Sequence, residues 1–190
     1  MGREFELKFS ATEAIQQAIL AQYPNGHTIA METTYFDTAD GSLSAQKITL
    51  RLRRENDITV CTLKTPLSDG SKGEWECQAD DLAAGLQSLS ALGIPVALPA
   101  PEQLHRVCGA RFLRHAIPIL LDGGSAELAV DRGVLLGGGR ELPLCEVEVE
   151  LKSGPDAVTL AFAAELAKTY GLKPESKSKF RRARDLAAGV

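Results

Sequence analysis

Apolar and polar side chains alternate strictly over residues 3–10, where Phe5, Leu7 and Phe9 interleave with Glu4, Glu6 and Lys8. A two-residue period puts the apolar three on one face of a strand and the ionisable three on the other. The period then changes. Residues 12–23, TEAIQQAILAQY, have helical spacing, with Ser10 and Glu13 placed as a capping box and Pro24-Asn25-Gly26 as the stop. Strand-like runs follow at 28–38, 47–55 and 58–65, the last two joined across the two-residue turn Asn56-Asp57. Residues 73–79 read as a further strand and 80–93 as a helix ended by glycine. Between 94 and 109, Pro95, Pro99 and Pro101 precede a short helical piece, EQLHRVCG. Strands resume at 110–121, 125–136 and 142–154, separated by glycine turns. A helix over 155–170 and a basic tail complete the chain.

This order predicts about eight strands in hairpin-like succession, hence one antiparallel α+β domain over residues 1–190 rather than a doubly wound sheet. Gly137–Gly139 lies between strands and reads as a turn; no P-loop pattern occurs. The polar faces of the strands are almost wholly charged, and the charges segregate. Arg51 and Arg53 share one face, Lys64 is in phase with Thr62, and Arg114 sits within 110–121. Glu74 and Glu76 flank Trp75, Glu127 and Asp131 are in phase, and Glu146, Glu148 and Glu150 form a row opposite Val147, Val149 and Leu151.

A solvent-facing sheet accounts for any one of these strands. It accounts less well for the set, because carboxylates in a row repel unless a counter-ion sits among them. Closing the sheet into a barrel removes the difficulty: apolar faces point outward under helices and charged faces line a water-filled interior. Clustered carboxylates are hard oxygen ligands suited to Mg²⁺ or Mn²⁺. Clustered Arg and Lys suit phosphate oxygens. A site with both, and no P-loop, points to a metal-bound polyphosphate chain.

Composition narrows the partners. A formal net charge of −4 gives no general reason to expect nucleic acid. Cys61, Cys77, Cys108 and Cys145 lack the paired spacing of a zinc site or the density of a disulfide scaffold, so free thiols in a reducing compartment are expected. The apolar runs are too short to span a bilayer, and the N-terminus enters the first strand with no room for a signal peptide. The expectation is a cytoplasmic protein with neither a nucleic-acid nor a membrane partner. His27, His105 and His115 are scattered and are assigned surface or structural roles.

Glu4-Phe5-Glu6-Leu7-Lys8 matches the E-x-E-x-K signature of the CYTH family, also called triphosphate tunnel metalloenzymes. TYFDT at 34–38, LRLR at 50–53, TLK at 62–64, CEVEVEL at 145–151 and SK at 178–179 follow in the family's order. The chain resembles the family over nearly its whole length and looks most like bacterial inorganic triphosphatases. The resemblance implies an eight-stranded antiparallel closed β-barrel, a tunnel with a charged interior and helices packed outside. It implies a two-metal site of Mg²⁺ or Mn²⁺ held by Glu4, Glu6, Glu146, Glu148 and Glu150. Phosphate binding falls to Lys8, Arg51, Arg53, Lys64, Arg114 and Lys179, with Arg182 as a further basic position. Lys8, Arg51 and Arg53 are the implied catalytic cations; Glu74, Glu76, Glu127 and Asp131 are further acids for the tunnel. The implied activity is hydrolysis of inorganic triphosphate to diphosphate and phosphate. A class IV adenylate cyclase and a thiamine or nucleoside triphosphatase are alternatives on the same fold. A non-catalytic polyphosphate- or nucleotide-binding module is an alternative of another kind, which would not need so many carboxylates beside a polyanion.

Overall fold

The run expected as one strand over 3–9 is two strands that break at Phe5. β1 (Gly2–Glu4) pairs with β6 (Lys72–Gln78), whereas β2 (Glu6–Ser10) pairs with β9 (Arg140–Ser153). The computed structural model describes residues 2–67 and 72–190, with side chains from Phe5 onward. Between β2 and β6 come α1 (Glu13–Gln22), β3 (His27–Thr38), the short α2 (Ser42–Ala45), β4 (Thr49–Glu55) and β5 (Ile58–Pro66). After β6 come α3 (Leu82–Ala91), β7 (Leu104–Leu121), β8 (Gly124–Gly137), β9, α4 (Asp156–Tyr170), β10 (Lys173–Pro174) and α5 (Lys179–Ala188).

The described strands form one antiparallel sheet in the order β1-β6-β5-β4-β3-β7-β8-β9-β2-β10. The closed eight-stranded barrel is therefore corrected: ten strands form an open sheet whose edges are β1 and β10. The strand breaks at Phe5, whose carbonyl still accepts from Leu151 N of β9 at 2.9 Å; β1 pairs at one end of the sheet and β2 near the other, and they do not pair with each other. The other edge strand is two residues long and ends at Pro174, which has no N–H to extend a ladder.

The outer apolar faces are covered by helices, as the alternation predicts. Leu7, Phe9, Leu128, Val147 and Val149 pack with Ile19 of α1 and with Ala163 and Leu166 of α4. Leu50, Leu63 and Trp75 pack with Leu86 and Leu89 of α3. α5 departs from the expected outside packing: it lies on the cavity side, where Met31, Ala110, Phe112, Leu135 and Leu144 surround its Ala183. Each fully buried aliphatic or aromatic side chain contributes about 1.5–3 kcal/mol.

The β4–β5 hairpin turns at Asn56-Asp57, with Asn56 at φ 53°, the left-handed conformation a tight hairpin turn needs. Two local expectations are corrected. The N-cap of α1 is Thr12, which accepts from Ile15 N at 3.3 Å, not Ser10. Residues 104–109 are strand rather than helix, because β3 supplies ladder partners from Thr38 to Thr34 across a bulge at Tyr35/Phe36. Tertiary pairing outweighs a short helical pattern there. Among the described residues, no helix is long and apolar enough to cross a membrane.

Candidate functional site

The charged faces of the strands converge on one cavity of about 290 Å³. β4 and β5 supply Arg51, Arg53 and Lys64; β2 supplies Glu6 and Lys8; β6 supplies Glu74 and Glu76. On the other side stand Arg114 of β7, Glu127 of β8, Glu148 and Glu150 of β9, and Lys179 of α5. Glu55, Lys72 and Lys152 also line the cavity and were missed. Their signal was present, since each continues the two-residue period of Arg51–Arg53, Glu74–Glu76 or Glu146–Glu150 by one step.

Three expected site residues stand elsewhere, and a fourth is not described. The Glu4 side chain lies outside the described residues. Glu146 and Asp131 are fully buried behind the wall and do not line the cavity. Arg182 does not line it either: its Nη2 meets Glu146 and its Nη1 lies 3.5 Å from Glu175. These three sit deep because α5 packs over β7 and β8 and covers that end of their rows. None of the three histidines lines the cavity.

Strand register arranges the acids in rows. Glu6, Glu150 and Glu127 are directly opposed across β2, β9 and β8. Carboxylates so placed repel one another unless cations intervene. Lys8 Nζ lies 3.3 Å from Glu6, and Lys152 Nζ lies 3.0 Å from Glu150 and 4.0 Å from Glu127. The next row sets Lys8 opposite Glu148. The deepest row runs Ser10, Glu146, Asp131, Arg114. Gln16 of α1 clamps that row from the outer face, donating to Asp131 O at 2.8 Å and to Glu146 O at 3.0 Å.

The deep row is held by cations from two elements. Arg114 donates to both oxygens of Asp131 at 2.8 and 2.7 Å and also meets Glu148. Lys179 Nζ lies 2.8 Å from Asp131 and 2.7 Å from Glu148, and contacts Glu146. Burial alone would raise the Glu148 carboxyl, but the Lys179 ammonium and the Arg114 guanidinium outweigh it and hold the group well below the usual carboxylate range. Burial pushes the Glu146 carboxyl up, and the neighbouring Glu148 adds to that against Lys179 and Arg182. Burial works against the Lys179 ammonium, yet Glu148, Asp131 and Glu146 together raise its pKa.

The opposite wall is basic, with acids interleaved. Arg51 Nη2 lies 3.4 Å from both Glu74 and Glu76, Lys64 lies 3.2 Å from Glu74, and Arg53 Nε donates to Glu55 at 2.6 Å. Thr62 donates to Glu76 at 2.8 Å. Burial opposes ionisation of Glu76; the Thr62 bond and the Arg51, Arg53 and Lys64 charges prevail and keep it below the ordinary range.

Asp131, Glu146 and Glu148 each bring one oxygen within 4.8 Å of the others, a set of hard donors able to coordinate a divalent cation. The Lys179 ammonium already contacts all three. Glu6, Glu127 and Glu150 offer the same donor chemistry on the cavity wall.

Known proteins resemble this chain in sequence or fold. An inorganic triphosphatase of Haemophilus influenzae is 29 % identical over 164 residues, covering 81 % of this chain and 46 % of that protein. The chain thus spans about half the length of that curated relative. An adenylyl cyclase candidate from Hippeastrum, reported to have a dominant triphosphatase activity, superposes with a TM-score of 0.70 at 20 % identity, over 96 % of this chain and 95 % of that one. An adenylate cyclase candidate from Bacillus halodurans superposes with a TM-score of 0.68 at 22 % identity, over 96 % and 98 %. At such identities these two establish the fold. Residues 2–183 match the CYTH domain, and the chain belongs to the CYTH domain family.

Proposed function

We propose that the chain hydrolyses inorganic triphosphate to diphosphate and phosphate, using Mg²⁺ or Mn²⁺. One observation carries this reading: Lys8, Arg51, Arg53, Lys64 and Arg114 share a single cavity with Glu6, Glu127, Glu148 and Glu150. A basic wall alone would suit any polyanion. Carboxylates beside a polyanion repel it unless a cation bridges the two. The relationship to the Haemophilus influenzae inorganic triphosphatase supports the same substrate.

Arg51 and Arg53 project from one face of β4 and would exchange Glu74, Glu76 and Glu55 for non-bridging phosphate oxygens. Arg forks suit that task because two N–H groups meet two oxygens. A divalent ion held by Glu6, Glu148 and Glu150 would neutralise phosphate charge and lower the pKa of a bound water. Water adds to the terminal phosphorus, the bridging P–O bond breaks, and diphosphate leaves. Lys8, opposite Glu148 in register, would neutralise the leaving oxygen.

The test is phosphate release from triphosphate, ATP and thiamine triphosphate with Mg²⁺ or Mn²⁺. Triphosphate is expected to exceed the other two by at least about tenfold in kcat/KM, a margin of roughly 1.4 kcal/mol, and chelation with EDTA to abolish turnover. A preference for ATP, or no release with either metal, would overturn the reading.

A further inference from the structure

Lys179 is the first residue of α5, is 8 % exposed, and stands 5.4 Å from the centre of the Phe112 ring. A protonated lysine has three N–H donors and no acceptor. Asp131, Glu146 and Glu148 set three carboxylates against it, and Glu148 accepts its hydrogen bond at 2.7 Å. Glu148 is gripped from two sides, Oε1 by Lys179 and Oε2 by Arg114. Glu146 is divided in the same way between Lys179 and Arg182. Three buried acids therefore balance three cations, and Lys179 alone among those cations touches every acid.

We propose that Lys179 is a positioning residue, which fixes the Glu148 carboxylate at the cavity wall and binds no phosphate itself. A phosphate oxygen that displaced one of these carboxylates from Nζ would leave a buried anion without that partner. This departs from the phosphate-binding role that the family resemblance implies for Lys179. It rests on the triphosphatase reading only where Glu148 serves the metal.

The experiment compares Lys179→Met with the double variant Lys179→Met/Glu146→Gln. The single change strands buried acids; the double change leaves Asp131 and Glu148 with Arg114, and Arg182 with Glu175. Lys179→Met is expected to melt roughly 10 °C below the wild type, and the double variant to recover at least half of that loss. Inorganic diphosphate, titrated calorimetrically without metal, should bind the double variant within about threefold of wild type, since no charge-assisted phosphate contact has been removed. Its KM for triphosphate should hold within the same factor while kcat falls by more than about threefold, because Glu148 has lost one of its two holding donors. Absence of thermal rescue, a larger loss of diphosphate affinity, or a wild-type kcat in the double variant each overturns the proposal. Melting and diphosphate binding need no turnover. A wild-type chain that leaves triphosphate intact would therefore sink the functional reading, while those two arms still decide this one.

Discussion

Replacing Arg51 with alanine separates the work of the basic wall from its contribution to the fold. The guanidinium is 13 % exposed and its Nη2 lies 3.4 Å from Glu74 and from Glu76. Neither acid is left bare by the change, because Glu74 keeps Lys64 at 3.2 Å and Glu76 keeps Thr62 at 2.8 Å. The stability cost should therefore fall between that of an exposed pair and that of a broken buried one, about 1–2 kcal/mol. For a domain of this size that is a drop of roughly 2–8 °C in Tm. A donor aimed at a transferring phosphoryl group is worth more, about 10²–10³ in kcat, or roughly 3–4 kcal/mol. Arg51→Ala should thus lose far more activity than stability. Arg51→Lys, which keeps the charge without the fork, should lose roughly tenfold. Phosphate release from triphosphate at saturating Mn²⁺, with melting curves on the same preparations, measures both quantities. Wild-type kcat/KM in Arg51→Ala would refute the argument, as would a melting loss large enough to account for the missing activity.

Thr62→Val removes the hydroxyl that donates to Glu76 and should cost about 1 kcal/mol at pH 7, discounted for the partial exposure of that carboxylate. Glu76 is held below its ordinary range in the fold, so its stabilisation is complete above the unfolded-state value and lost as pH falls through the folded-state one. Urea unfolding should show the variant's deficit shrinking from pH 7 to about pH 3; an equal deficit at both would count against the bond. Burial pushes the Cys61 and Cys108 thiols up to about 12. Both should resist a disulfide reagent at about pH 8 in the native protein, whereas all four cysteines react in denaturant. Rapid native labelling of either residue would show that the packing is wrong. Gly133→Ala would place a Cβ 2.2 Å from Arg111 O and 2.5 Å from Phe112 Cα, forcing β7 and β8 apart. A loss above about 3 kcal/mol is expected, and an unchanged Tm would contradict the register.

Much of the site was legible in the strands themselves. Alternation placed Arg51 with Arg53, and Glu146 with Glu148 and Glu150, on shared faces; a strand's backbone imposes that period on neighbours in sequence whatever the strand later meets. It also placed Leu7 and Phe9 under helices and Trp75 in the outer packing. Carrying the same period one two-residue step further would have found Glu55, Lys72 and Lys152. The helical reading of 102–109 failed because its partner, β3, lies more than sixty residues earlier in the chain.

Sheet closure and depth within a row were decided only by the tertiary structure. Whether ten strands close depends on which edges meet, and the break at Phe5 sends β1 and β2 to different partners. Glu146, Glu148 and Glu150 have the same spacing and chemistry in the sequence, yet Glu150 lines the cavity and Glu146 is sealed behind it. The difference arises from α5, which brings Lys179 onto Glu148 from 31 residues away and Arg182 onto Glu146 from 36. Periodicity is written locally, residue by residue. The sharing of one ammonium among three buried acids depends on where a distant helix docks, and no local pattern encodes that.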